Sequence, residues 1–204
     1  MLRNICFSLL AIIGIGGNSA MAAPIEVKVV VVTMFEIDQD TGDTAGEFQL
    51  WHERQKLNER LPFAHHHDLY LNRETGVLGM VTGMGTANSA TAVMALGLDP
   101  RFDLSKSYWL IAGIAGVDPA DASIGSAAWA EYLVDGDLAH EIDAREIPSD
   151  WPTGYFARFT RKPYDPKKPA PTGEMFRLNP RLTQWAYQLT RNVKLADSPE
   201  LQKT

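Results

Sequence analysis

The chain has 204 residues, 45% of them hydrophobic, with 19 basic against 25 acidic side chains and a formal net charge of -6. That length and apolar content suit one globular domain, and the acidic balance argues against non-specific nucleic-acid binding, which basic surface drives. The single cysteine, Cys6, lies at the extreme N-terminus, so the rest of the chain can form no disulfide, thiolate nucleophile or Cys-ligated metal site.

Residues 1–22 read as a signal peptide. Arg3 is the positive n-region, Cys6 to Ile15 an apolar h-region, and Ala20-Met21-Ala22 an A-x-A cleavage pattern. Cleavage there would make the mature chain, 23–204, one unit more negative and free of cysteine. No later apolar run is long enough for a transmembrane helix.

Ile25 to Thr33, "IEVKVVVVT", is β-branched with little polar alternation, the pattern of a buried strand. An acidic loop follows. Glu47 to Leu61 then predicts an amphipathic helix with Phe48, Leu50, Trp51, Leu57 and Leu61 on one face, stopped before Pro62. Val77 to Thr82 is a second buried strand, paired with "LYLN" just before it. Thr86 to Gly97 is a helix whose Ala87, Ala90 and Met94 share a face. Ser107 to Ala112 and Ser126 to Val134 are two further strands. Residues 148–173 are proline-rich and predict an irregular excursion. Asn179-Pro180 then starts a last helix, with Asn as N-cap and Pro at N1. Strands alternating with helices imply an α/β fold with a mainly parallel or mixed sheet and flanking helices.

In such a sheet, ligands bind beyond the carboxyl ends of the strands. Met34-Phe35-Glu36, Thr82 to Thr86 (with Gly83, Met84 and Gly85 between) and Gly113-Ile114-Ala115-Gly116 fall there. The glycine turns admit close backbone approach, and a helix opening near Thr86 points free N–H groups outward. By spacing alone Gly83 and Gly85 read first as a tight strand-to-helix turn and only second as a ligand loop. Glu36 could bind a sugar hydroxyl, serve as a general base or cap locally. The aspartates 38, 40 and 43 lack EF-hand spacing, and adjacent histidines 65, 66 and 67 read as a polar loop rather than a metal site. "DGDLAHEIDARE", residues 135–146, is not an H-E-x-x-H motif, and neither a G-x-S-x-G elbow nor a P-loop occurs.

The stretches "VVVVTMFEIDQDTGDTAGEFQLW", "DWPTGYF" and the long segment from "TGMGTANSA" through "AGIAG" to "DAREIP" strongly resemble the purine nucleoside permease family of exported bacterial proteins. The resemblance implies nucleoside uptake and a nucleoside phosphorylase-like fold. It sets Met34-Phe35-Glu36 where nucleosidases place a Met and a catalytic Glu. It likewise aligns Gly83-Met84-Gly85 and Ala112 to Gly116 with two ligand-lining turns. Glu36 is then implied near the ribose or an attacking water, and Ala115 and Gly116 against the base. Ile114 stands where the superfamily has serine, and the first loop lacks the Gly and Arg used for phosphate, both of which disfavour phosphorolysis. Related chains are longer, so the chain is expected to be incomplete at the C-terminal end and weak or inactive alone. The implied role is a periplasmic purine-nucleoside-binding protein serving transmembrane transport through an inner-membrane partner, with no cofactor or metal and room for a homo-oligomer. The alternative is cleavage of the N-glycosidic bond, by hydrolysis rather than phosphorolysis, and a third reading is a scaffold without ligand.

Overall fold

The computed structural model describes residues 23–136, 139–166 and 175–195. The expected signal peptide, Asp137 and residues 167–173 of the proline-rich excursion lie outside them. The chain divides into two units, one running to Ala115 and the other starting at Gly116.

The first unit contains β1 (Ile25–Glu26), β2 (Val29–Thr33), α1 (Gln49–Arg54), β3 (Glu59–Leu61), β4 (Leu69–Asn72), β5 (Val77–Val81), α2 (Thr86–Gly97), β6 (Phe102–Asp103) and β7 (Tyr108–Ile111). Five strands form one sheet in the order β3-β4-β5-β2-β7. β2 lies parallel to β5 and to β7, whereas β3, β4 and β5 run antiparallel in turn, so the sheet is mixed. β1 and β6 make a separate parallel pair.

The "VVVV" run fills the centre of this sheet because both neighbours of β2 are also strands. Val30, Val31 and Val32 are buried, and Thr33 is fully buried with its hydroxyl donating to the Met80 carbonyl at 3.2 Å. Val30, Val32, Leu69, Leu71, Leu78 and Met80 pack with Ala92 and Leu96 of α2 in one apolar cluster. Phe48, Leu57 and Val81 form a second. Each fully buried Leu or Phe contributes roughly 1.5–3 kcal/mol by leaving water.

The structure redraws several predicted elements. The first strand is broken at Val27-Lys28, where the chain exchanges β6 for the main sheet and the N–H groups of Lys28 and Val29 both donate to the Gly76 carbonyl. The helix expected over 47–61 ends at Arg54. Lys56 takes a positive φ of 52°, which turns Leu57 into the core and frees Glu59–Leu61 to pair with β4. α2 has the expected bounds but the opposite face inward: Ala92 and Leu96 are buried, while Met94 is 63% exposed. Alanines all round the helix gave no contrast to choose a face.

The second unit contains β8 (Tyr132–Val134), β9 (Ala139–Glu141), β10 (Tyr155–Ala157), β11 (Met175–Arg177) and α3 (Pro180–Thr190). β8 pairs antiparallel with β11, and β9 with β10. The strand expected over 126–134 is thus limited to three residues, the length of its partner. β10 falls in the otherwise irregular excursion. α3 starts as predicted: the Asn179 carboxamide oxygen accepts from the N–H groups of Arg181 and Leu182, with Pro180 at the first turn.

Candidate functional site

Three parallel strands end side by side at one edge of the first unit's sheet. β2 is in register with both neighbours up to Thr33 opposite Val81 and Val32 opposite Ile111. Two further bonds extend the ladders into the loops, Thr82 N–H to Thr33 C=O and Ala112 N–H to Val32 C=O, each 2.9 Å. Met34-Phe35-Glu36, Thr82 to Thr86 and Gly113-Ile114-Ala115 therefore leave the sheet together, at the carboxyl ends where open α/β sheets hold ligands. Gly116 opens the second unit.

Glu36 is engaged on every side. Oε1 accepts from the N–H groups of Ile37 (2.8 Å) and Gly46, and Oε2 from those of Phe48 (2.7 Å) and Gln49. Phe48 and Gln49 begin α1, so the carboxylate caps that helix and closes the acidic loop back on itself. A Cβ on Gly46 would lie 2.7 Å from Glu36 Oε1 and 3.0 Å from the Ile37 nitrogen, so only glycine fits the clamp. Burial raises the Glu36 pKa, but the four N–H donors outweigh it and hold the group below its ordinary 4.5. A carboxylate so stabilised is a weak base.

Glu47 is the residue the sequence reading missed. It is only 7% exposed, yet its two oxygens face two different strand ends. Oε2 accepts from Met34 N–H and Oε1 from Ile114 N–H, both at 2.7 Å. It ties the exit of β2 to the exit of β7. Gly113 lies beneath the tie, where a Cβ would be 2.5 Å from the Met34 methyl and 3.3 Å from Glu47 Oε1. In the sequence Glu47 is only the first residue of a predicted amphipathic helix, off its apolar face. The available signal was an acid placed just before the apolar Phe48, where a buried helix start has N–H groups and strand-end donors nearby.

The glycine turn after β5 is built as the sequence suggested. Gly83 and Gly85 take φ of 84° and 91°, and Gly85 is the N-cap of α2 without any side-chain cap. Thr82 is turned inward: it is buried, its hydroxyl lies 2.9 Å from the Gly83 carbonyl and 3.3 Å from that of Thr33, and it shares a 3.2 Å contact with Ser89 Oγ. Met84 and Ile114 are exposed, at 70% and 68%. The predicted residues thus present two backbone turns at the strand ends, Gly83–Gly85 and Gly113–Ile114, each carrying an exposed apolar side chain.

A polar cleft of about 300 Å³ lies elsewhere in this unit, lined by Asp40, Arg60, His66, His67, Asp68 and Tyr70. Asp40 accepts from the Tyr70 hydroxyl at 2.6 Å and contacts His67 Nε2 at 2.8 Å, while Arg60 pairs with Asp68 at 2.7 Å. Burial, and then the bond to Asp40, push the Tyr70 phenol up to about 12. The cleft's charges answer one another, and their effect is to pin the acidic loop to β4. His66 lies against Phe63, with ring centres 5.0 Å apart. Among the described residues no group of three or more His, Cys, Asp or Glu side chains is arranged to hold a metal ion. In the second unit, Asp143 and Arg145 of the "DGDLAHEIDARE" stretch pair with each other at 2.6 Å on the surface.

The family model for purine nucleoside permease matches residues 26–204. A protein of Schizosaccharomyces pombe named a probable purine nucleoside permease is 34% identical over 151 residues, 70% of this chain and 42% of that protein. The purine nucleoside permease of Candida albicans is 29% identical over 180 residues, 85% of this chain and again 42% of the relative. The chain therefore spans well under half the length of these curated relatives, which are fungal rather than the bacterial proteins the resemblance implied. No solved structure matches.

Proposed function

We propose, for a chain that belongs to the purine nucleoside permease family, that its first unit supplies one wall of a purine nucleoside site serving nucleoside transport. The reading assigns the ligand to the strand-end loops, with the Gly83-Met84-Gly85 and Gly113–Ile114 turns at the ligand and Met84 and Ile114 as apolar surface for the base. The observation that carries it is the convergence of three loops on one sheet edge, tied by Glu47.

The engagement of Glu36 supports binding over hydrolysis. A general base must accept a proton, and this carboxylate is stabilised in its charged form by four donors. We assign it to shaping the loop, with Met34 and Phe35 leading into it. The N-terminal charge, apolar run and A-x-A pattern support export to a periplasm. Among the described residues no helix is long and apolar enough to cross a membrane; capture of the nucleoside and its delivery to a membrane partner is the transport role we assign.

The test is incubation of the chain with inosine or adenosine, with and without phosphate, followed by equilibrium dialysis and chromatography. Saturable, weak retention of intact nucleoside is expected. Release of free base would replace this reading with glycosidic cleavage, and no retention even at millimolar ligand would remove the site.

A further inference from the structure

The two carboxylates at the strand ends differ in what they have left to offer. A carboxylate presents about four lone-pair positions. Glu36 fills its four with the N–H groups of Ile37, Gly46, Phe48 and Gln49. Among the described residues Glu47 receives two donors, one on each oxygen, which leaves an acceptor position on each. On the Gly113 side of Oε1, residue 113 contributes no side chain, and the methyl of the flexible Met34 thioether fills the space where a residue-113 Cβ would point, so a ligand reaches this oxygen by displacing that methyl. Ile114, bonded to the same oxygen, is exposed.

We infer that Glu47 is the ligand-facing carboxylate of this site and accepts a hydrogen bond from a hydroxyl of the sugar moiety. This rests on the nucleoside reading and makes it more specific: the ligand class is one bearing a free hydroxyl on the ribose, recognised by charge-assisted acceptance. Withdrawal of the hydroxyl leaves the buried carboxylate short of a partner, which is why such sites discriminate strongly against the deoxygenated analogue.

The experiment compares inosine with 2′,3′-dideoxyinosine on the unmodified chain and on Glu47→Gln and Glu36→Gln. The unmodified chain is expected to prefer inosine by about tenfold to a hundredfold, the range of one hydrogen bond to a charged group. That preference should collapse toward unity in Glu47→Gln and persist in Glu36→Gln. A preference retained in Glu47→Gln overturns the inference while leaving nucleoside binding intact; loss of all binding by the unmodified chain instead overturns the reading beneath it. Should Glu47→Gln fail to fold, the Glu47 carboxyl carbon is followed by NMR in the unmodified chain. A shift on adding inosine but not its dideoxy analogue supports the assignment, and equal or absent shifts contradict it.

Discussion

The two units of this chain solve the burial problem differently. The first fills a five-stranded sheet with Val, Leu and Met and covers it with α2. Among the described residues the second buries only Gly154, Pro163 and Ala186, and leaves Val134, Phe176, Trp185 and Leu189 exposed at 71%, 54%, 61% and 65%. Both have strands and a helix, so the contrast lies in packing rather than in local propensity. A site that must hold backbone turns to fractions of an ångström needs the packed unit. The candidate residues, Gly116 apart, lie there.

The sharpest way to break this comparison is a pair of truncations. Leu78→Ala in the first unit should cost about 2–5 kcal/mol in a urea melt, because it opens a cavity in a closed core. Leu189→Ala on α3 should change stability by no more than about 0.5 kcal/mol. Equal losses would mean that the second unit is packed in solution. Next in size, Glu36→Gln should cost roughly 1–3 kcal/mol, since an amide cannot accept all four N–H bonds. Because the folded Glu36 is held below 4.5, its contribution is present above the unfolded value and is lost as pH falls through the lower folded one. The acid limb of the melt profile should therefore flatten in this variant, and an unchanged limb would deny the clamp. Asn179→Ala removes the side-chain cap at the N-terminus of α3 and should cost that helix about 1 kcal/mol, read as lost helical dichroism with the first unit's melt unaltered.

At neutral pH Tyr70→Phe should cost less than the Glu36 and Asn179 variants, under about 1 kcal/mol, as a single neutral donor is lost from Asp40. Its signature is alkaline. The folded phenol is raised from 10.0 to about 12, so its stabilisation is present below the unfolded value and disappears as pH rises through the folded one. Ultraviolet titration should show one tyrosine ionising late, and Tyr70→Phe should remove that component.

Much of the fold was legible because its signals were strong. "VVVV" carries the β-branched signature of a buried strand, Asn179-Pro180 is a helix start in two residues, and Gly83 and Gly85, which the structure places at positive φ, mark the turn before α2. The errors have physical sources. Residues 55–61 carry helical spacing, but the positive φ at Lys56 and pairing with β4 outweigh local propensity. On α2 the alanines leave the inward face undetermined until the sheet chooses it. At the site, sequence marked the loops that meet but not how their acids divide the work. Glu36 and Glu47 are both acids near a strand end, and only hydrogen-bond geometry shows one saturated and the other bridging.

The central claim is that the strand-end loops of the first unit carry the nucleoside contacts. It is tested most directly by titrating the isotopically labelled chain with inosine and following its backbone amides by NMR. The account predicts saturable shifts at residues 34–36, 47, 82–86 and 113–115, with Arg60 and Tyr70 of the polar cleft unmoved. Shifts confined to that cleft, or spread evenly over both units, would contradict it.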